Sequence, residues 1–510
     1  MSVTENNKRI AKNTMYMYLR MLIILFVSLF TARIVFNTLG ITDFGIYNVV
    51  GSIIVFFSFL NNGLSLSTRR YITAELSNGN DESQNKIFNL ACIAHIYIAL
   101  IVLVLAETVG IYIINSILSI PNERMFTANV VYQLSIISAI VGITMSPFNS
   151  AIIANEKMSV YAYLSIIDVV VKLIIIGGVI LIPGDKLIVY AILILCGGLL
   201  NVFFNVWYCY RTFSMCKIVA CKDKTGIKEM FCYMGWSLFG QGSVVLTNQG
   251  ITLLLNTFCG VVANAAMGIS NTITNIVSQF VNNFQIAFNP QITKYYVSGD
   301  KKDLYQLVTS TSRYSSYLVL LFLIPLLFET PNFLTVWLGE YPKYAVEFCI
   351  FTLFSIFIEA IGAPLWMIIG SDKDIKLYQI IVSAIFLINF IGSFISLSLG
   401  FPPFYVIIVR VFVSIILIIF RLHWCKRLLD DFPVSIWCKQ VLLKTMTLFI
   451  ASSILSYLVY NLNYRHILIE LSLVSFWSMT VTAMTIYFGG LTSNEKQFLK
   501  TKILSKIRYK

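Results

Sequence analysis

Charge is what this sequence most lacks: Asp, Glu, Lys and Arg make up 12% of its 510 residues. Soluble domains average about twice that fraction, so a string of water-soluble domains is excluded. Histidine is almost missing, with three residues in the whole chain, which leaves few candidates for the usual general base or metal ligand. No G-x-x-x-x-G-K-[ST], H-E-x-x-H or G-x-S-x-G stretch occurs, so phosphate cradling, zinc hydrolysis and an activated serine have no anchor here. The ten cysteines form no C-x-x-C and no regular pattern. Neither a disulfide framework nor a metal site is expected, and no cofactor is implied. The segments between apolar runs are short, which leaves no room for a separate catalytic domain.

Apolar sequence is what remains. Hydrophobic residues make up 58% of the chain, gathered in fourteen runs, each long enough to cross about 30 Å of hydrocarbon at 1.5 Å per residue. The first covers about 14–36 and the last about 467–488. Lys and Arg give a net charge of +13 and fall unevenly. With the N-terminus inside, the outer turns hold only Arg124, Lys186, Lys343 and Arg465, the asymmetry expected because basic loops resist translocation. Both termini are therefore predicted to be cytoplasmic. No aromatic-interleaved basic platform accompanies these charges, and no nucleic-acid partner is expected. The first run lacks a small-residue cleavage site and is read as a retained span. The tail from Asn494 to Lys510 combines Phe498, Leu499, Ile503, Leu504 and Ile507 with basic residues, which suits either a helix lying on an anionic leaflet or a solvated tail.

Residues 36–62 recur, degenerate, about 220 positions later. Asn37-Thr38 matches Asn256-Thr257, Gly45-Ile46-Tyr47-Asn48 matches Gly268-Ile269-Ser270-Asn271, and Asn61-Asn62 matches Asn282-Asn283. The copies fall on spans 1 and 2 and on spans 7 and 8. An even number of spans separates them, so the halves share one orientation, as in transporters built from parallel repeats. The predicted fold is an all-α integral membrane protein of about 14 transmembrane helices. Two six-helix lobes, 1–210 and 231–430, flank a cytoplasmic linker at 211–230, and two further spans with the basic tail occupy 431–510.

Ionisable residues inside spans are costly and mark candidate sites. Asp168 and Lys172 lie four apart on span 5, hence on one helix face; they form either a structural pair or an anion-attracting and ion-coupling couple facing a cavity. Glu359 on span 10 and Arg410 on span 12 have the same two readings. Arg33, near the outer end of span 1, has no carboxylate within a turn of it on its own span, and its permanent fork-shaped charge suits a phosphate. Spans 7 and 8 are dense in amides, among them Asn256, Asn271, Asn275 and Gln279. Such spans face protein or a wet cavity rather than lipid, and their side chains suit a hydroxyl-rich substrate or hold helices together. The candidate cavity is thus Arg33, Lys172, Arg410, Asn256, Asn271, Asn275 and Gln279, with Asp168 and Glu359 as candidate ion-coupling groups.

The stretch N-T-L-G-x-x-D-F-G-I-Y from Asn37, the L-S-T-R-R-Y at the exit of span 2, N-A-A-x-G-I from Asn264 and N-P-Q-I-T-K-Y-Y from Asn289 resemble bacterial O-antigen flippases of the Wzx type. These form the polysaccharide branch of the multidrug/oligosaccharidyl-lipid/polysaccharide exporter superfamily. The resemblance implies a MATE-like fold with lobes opening alternately to either side, no enzyme activity and residence in the bacterial inner (plasma) membrane. It further implies an undecaprenyl-pyrophosphate-linked oligosaccharide as substrate, with membrane lipids and other polysaccharide-assembly proteins as partners. It carries over no catalytic residues. The competing expectations are a cation-coupled multidrug exporter, whose cavity should be acidic, and a polymerase or ligase of the same pathway, which should carry a large outer loop.

Overall fold

Backbone amides in hydrocarbon have no water to bind, so apolar runs satisfy them internally as helices. A computed structural model describes residues 3–78, 81–155, 157–219, 224–286, 288–372, 376–462, 466–493 and 495–497. In chain order its helices are α1 (Val3–Asn78), α2 (Asp81–Leu105), α3 (Met125–Ala154), α4 (Met158–Leu181), α5 (Lys186–Thr212), α6 (Lys224–Ile286), α7 (Asn289–Ser298), α8 (Lys301–Leu338), α9 (Ala345–Gly370), α10 (Lys376–Ser398), α11 (Tyr405–Leu428), α12 (Val434–Trp437), α13 (Lys444–Tyr460) and α14 (Ile467–Thr485). Most of the basic tail, for which the sequence allows either a leaflet-lying helix or a solvated segment, lies outside the described residues, from Phe498 onward.

Twelve stretches among the described residues are long and apolar enough to cross a membrane. Two of them lie in α1 and α6, each of which is two arms joined at a single non-helical glycine. Gly40 has φ 75°, ψ 174° and Gly260 has φ 76°, ψ −174°. That region of backbone space is essentially closed to residues with a Cβ. Counting each arm separately restores the fourteen predicted spans. The two glycines follow Asn37-Thr38 and Asn256-Thr257 at nearly the same interval, so the repeat is structural as well as textual. Phe203, Ile419 and Phe476, each more than 60% exposed, present the kind of apolar surface that lipid covers.

The helices divide into two compact units, Met1–Thr272 with Gln379–Pro403 and Ile273–Tyr378 with Phe404–Lys510. In the first unit α1 packs on α3 and α4, and α5 closes on α3 and α4. The copies of the repeat meet here. A Cβ on Gly45 would lie 2.1 Å from the Val261 carbonyl oxygen, so only glycine permits that backbone approach, and one on Gly268 would lie 2.6 Å from the Asn48 carboxamide, which would have to shift. Helix α10 joins this unit through Thr247, whose hydroxyl donates to the Phe386 carbonyl at 3.1 Å, and through Phe390, whose ring covers Gly250. The second unit is built on α8, which packs against α9, α13 and α14. Small hydroxyls on α8 allow the close packing that membrane helices use, as where Ser316 meets Thr445 at 3.2 Å.

One polar cluster fastens three turns of the first unit. Arg124, just before α3, donates through Nε to Asp43 at 2.8 Å and through Nη1 to Asp185 at 2.7 Å. Asp185 also caps α5 by accepting from the Leu187 amide at 3.1 Å, an N-cap arrangement. Burial raises the Asp185 carboxyl pKa, but bonds from Arg124 and Thr127 outweigh it and hold the group below its ordinary 3.8.

Two expectations follow for purified protein in detergent. Gly40→Ala and Gly260→Ala should each lose about 1–3 kcal/mol by thermal unfolding. Both sites have open space around the new methyl, so the loss is one of backbone conformation. Gly142→Ala, in regular helix with equal room, should be neutral or slightly stabilising. Arg124→Gln should cost about 1–3 kcal/mol. Because the folded Asp185 pKa is depressed, its contribution is complete above about pH 3.8 and vanishes as pH falls through the folded value. Acidification below that point should therefore lower the melting temperature of the wild type more than that of Arg124→Gln.

Candidate functional site

Asp168 and Lys172 stand on α4 one turn apart, and their Oδ2 and Nζ atoms meet at 2.8 Å. The pair lines a cavity of about 350 Å³ in the first unit, together with Thr31 from α1, Asn149 from α3 and Asn201 and Asn205 from α5. The pair is thus bonded to itself and also lies in a cavity wall. The Lys172 side chain is 53% exposed. Asn205, almost fully buried, bonds Asn201 at 2.7 Å and leaves its own Oδ1 without a partner.

A second cavity of about 240 Å³, also in the first unit, lies where the repeat copies meet. Asn48 and Asn271, matched positions of the repeat, both line it, alongside Gln249, Thr252, Asn264 and Tyr47. The Asn48 Nδ2 is tied to the Phe44 carbonyl at 2.7 Å, and Tyr47 packs edge-on against Tyr190 with ring centroids 5.1 Å apart. No charged side chain lines this cavity among the described residues.

The remaining sequence candidates are dispersed. Arg33 is exposed on the first arm of α1 and lines neither cavity. Asn256 is fully buried, and its Oδ1 accepts from the Ser119 amide at 2.8 Å; it fixes the strand-like connection after α2 to the α6 turn. Asn275 and Gln279 are exposed in the second unit. In that unit Glu359 and Arg410 form a bridge, with Nη2 3.1 Å and Nε 3.2 Å from Glu359 Oε1. Ser355 donates to the same oxygen at 3.1 Å.

Sequence reasoning missed two polar groups. Arg124 was read only as an outer-turn cation, because its carboxylate partners lie 61 and 81 residues away. Glu329, between Pro325 and Pro331 on α8, is fully buried; Asn332 donates to its Oε2 at 2.9 Å and its Oε1 has no partner. No salt bridge reaches it among the described residues. A carboxylate on an apolar span was the available signal.

Comparison with known proteins places this geometry in context. A curated relative, "Uncharacterized membrane protein EpsK" of Bacillus subtilis, is 21% identical over 326 residues, which is 62% of this chain and 63% of that protein. The chain thus matches less than two thirds of that relative's length. Among solved structures, lipid II flippase MurJ in an inward closed conformation superposes with a TM-score of 0.67 at 14% identity, covering 94% of this chain and 99% of MurJ. An inward-facing multidrug resistance MATE family transporter of the MOP superfamily gives 0.64 at 12% identity, covering 79% and 95%. At these identities the likeness is one of fold. The polysaccharide biosynthesis protein family matches residues 10–296. That match spans more than half of the chain, and this multi-pass membrane protein belongs to the polysaccharide biosynthesis protein family.

Proposed function

We propose that the chain is a flippase that carries an undecaprenyl-pyrophosphate-linked oligosaccharide, the repeat unit of O-antigen or a related surface polysaccharide, from the cytoplasmic to the outer leaflet of the bacterial inner membrane. The observation that carries this reading is the cavity around Asp168 and Lys172, a site that joins one cation to a wall of amides and hydroxyls. A diphosphate needs a cation, a glycan needs hydrogen-bonding groups, and the polyprenyl tail can stay in lipid. A multidrug exporter would be served by an acidic, greasier cavity, whereas the acid here is already neutralised by Lys172. Family membership in polysaccharide biosynthesis and the MurJ-like fold support the same substrate class. In this account two six-span lobes alternate between inward and outward openings. In the first unit Arg33 and Lys172 are the candidate cations for an anionic head group, Asn271 a candidate amide and Asp168 a candidate ion-coupling group; in the second unit, taken by itself, Arg410, Asn275 and Gln279, and Glu359 are the corresponding candidates. Both termini then face the cytoplasm.

Deletion of the gene should cause undecaprenyl-linked repeat units to accumulate on the inner leaflet, read by lipid extraction and mass spectrometry. Unchanged lipid-linked intermediates together with normal surface polymer would reject the function. In the complemented strain, Arg33→Ala and Arg410→Ala should each cut surface polymer by on the order of tenfold, with normal protein in the membrane fraction. Wild-type display by both variants would remove these two arginines from the site.

A further inference from the structure

The cavity between the repeat copies is built for hydrogen bonding yet carries no charge. Asn264, in its wall, is fully buried, and neither its Oδ1 nor its Nδ2 has a partner. Buried carboxamides are almost always satisfied, and an unsatisfied one costs about 1–3 kcal/mol, so a group left in this state calls for a ligand or water that completes it. Gln249 and Asn271 add two more carboxamides, and Thr252 a hydroxyl. Each carboxamide presents an acceptor beside a donor. Vicinal sugar hydroxyls offer the complementary pair, one O–H donating to the amide oxygen and the neighbouring oxygen accepting from the amide N–H. Tyr47 gives the cavity an aromatic wall of the amphipathic kind that accepts an apolar face and a polar edge together.

Size and charge narrow the occupant. At about 240 Å³ the cavity lies below the range of about 300–1,000 Å³ usual for drug-sized ligands, a size that suits a single sugar ring better than an oligosaccharide. The absence of any Lys or Arg from its wall among the described residues disfavours a diphosphate, for which fixed cations are the usual partners.

We propose that this cavity is a neutral sugar subsite, which binds one hexose of the lipid-linked glycan through its vicinal hydroxyls and leaves the diphosphate to be held elsewhere. The proposal rests on the flippase reading given above. Gly51 provides a clean test, because it lines the cavity and a Cβ there meets nothing within 4 Å. The first carbon of a side chain at 51 therefore meets open space, and the added bulk of a leucine at this lining position is meant to narrow the subsite. Gly142, exposed on α3 with equal room and outside both cavities, is the control.

Full-length protein in lipid nanodiscs is titrated with two probes, a polyprenyl diphosphate bearing a single hexose and the same lipid diphosphate without sugar. Wild type and Gly142→Leu should bind the hexose-bearing lipid at least tenfold more tightly. Gly51→Leu should bind the sugar-free lipid as wild type does, which also reports that it is folded, and should lose the preference for the sugar. A Gly51→Leu protein that keeps the preference, or a wild type that binds both lipids equally, would overturn the subsite while leaving a diphosphate-lipid carrier in place. A wild type that binds neither lipid would overturn the flippase reading and the subsite with it.

Discussion

Two glycines without a Cβ, held in one and the same otherwise forbidden conformation, set the plan of this molecule. Gly40 and Gly260 each break a long helix into two arms, and the segments that follow them meet where Gly45 and Gly268 let backbone and carboxamide approach. Everything polar that the repeat brings together depends on that approach. Asn48 and Asn271 line one cavity, on arms that leave matching turns, and a Cβ at Gly45 would push against the Val261 backbone.

Charge obeys a second constraint. In a low-dielectric surrounding an ion is tolerated when it is paired and bonded, and the described ionic groups mostly follow that rule. Asp168 meets Lys172, Glu359 meets Arg410, Arg124 bridges Asp43 and Asp185, and Arg313 meets Glu495. The pairs differ in burial. Arg313, nearly sealed, also donates to the Gly490 carbonyl and fixes the end of the last span. Lys172 is half exposed and lines a cavity.

The sequence made some of this legible. Span number and helical class follow from apolar run length, which is a local property, and the Asp168–Lys172 pair follows from spacing within one helix. The Glu359–Arg410 bridge was visible as two opposite charges at similar depth. Other features depend on distant partners. Asn256 was grouped with cavity amides, yet its carboxamide holds Ser119, 137 residues earlier, and no local pattern announces that contact. The repeat aligned Gly45 with Gly268 but skipped Gly40 and Gly260, because one copy carries an extra residue between Asn-Thr and the glycine. Asn264 was quoted only as part of a motif; its importance comes from being buried without a partner, which is a property of packing.

The central claim is that this fold moves a lipid-linked glycan between leaflets, and the most direct measurement is translocation itself. Purified protein is reconstituted in liposomes loaded symmetrically with a polyprenyl diphosphate carrying a short labelled glycan, and a membrane-impermeant glycosidase is added outside. Protein-free vesicles should plateau at about half cleavage, the share of lipid in the outer leaflet, while vesicles with the protein should proceed toward complete cleavage. An identical half-way plateau in both would contradict the account.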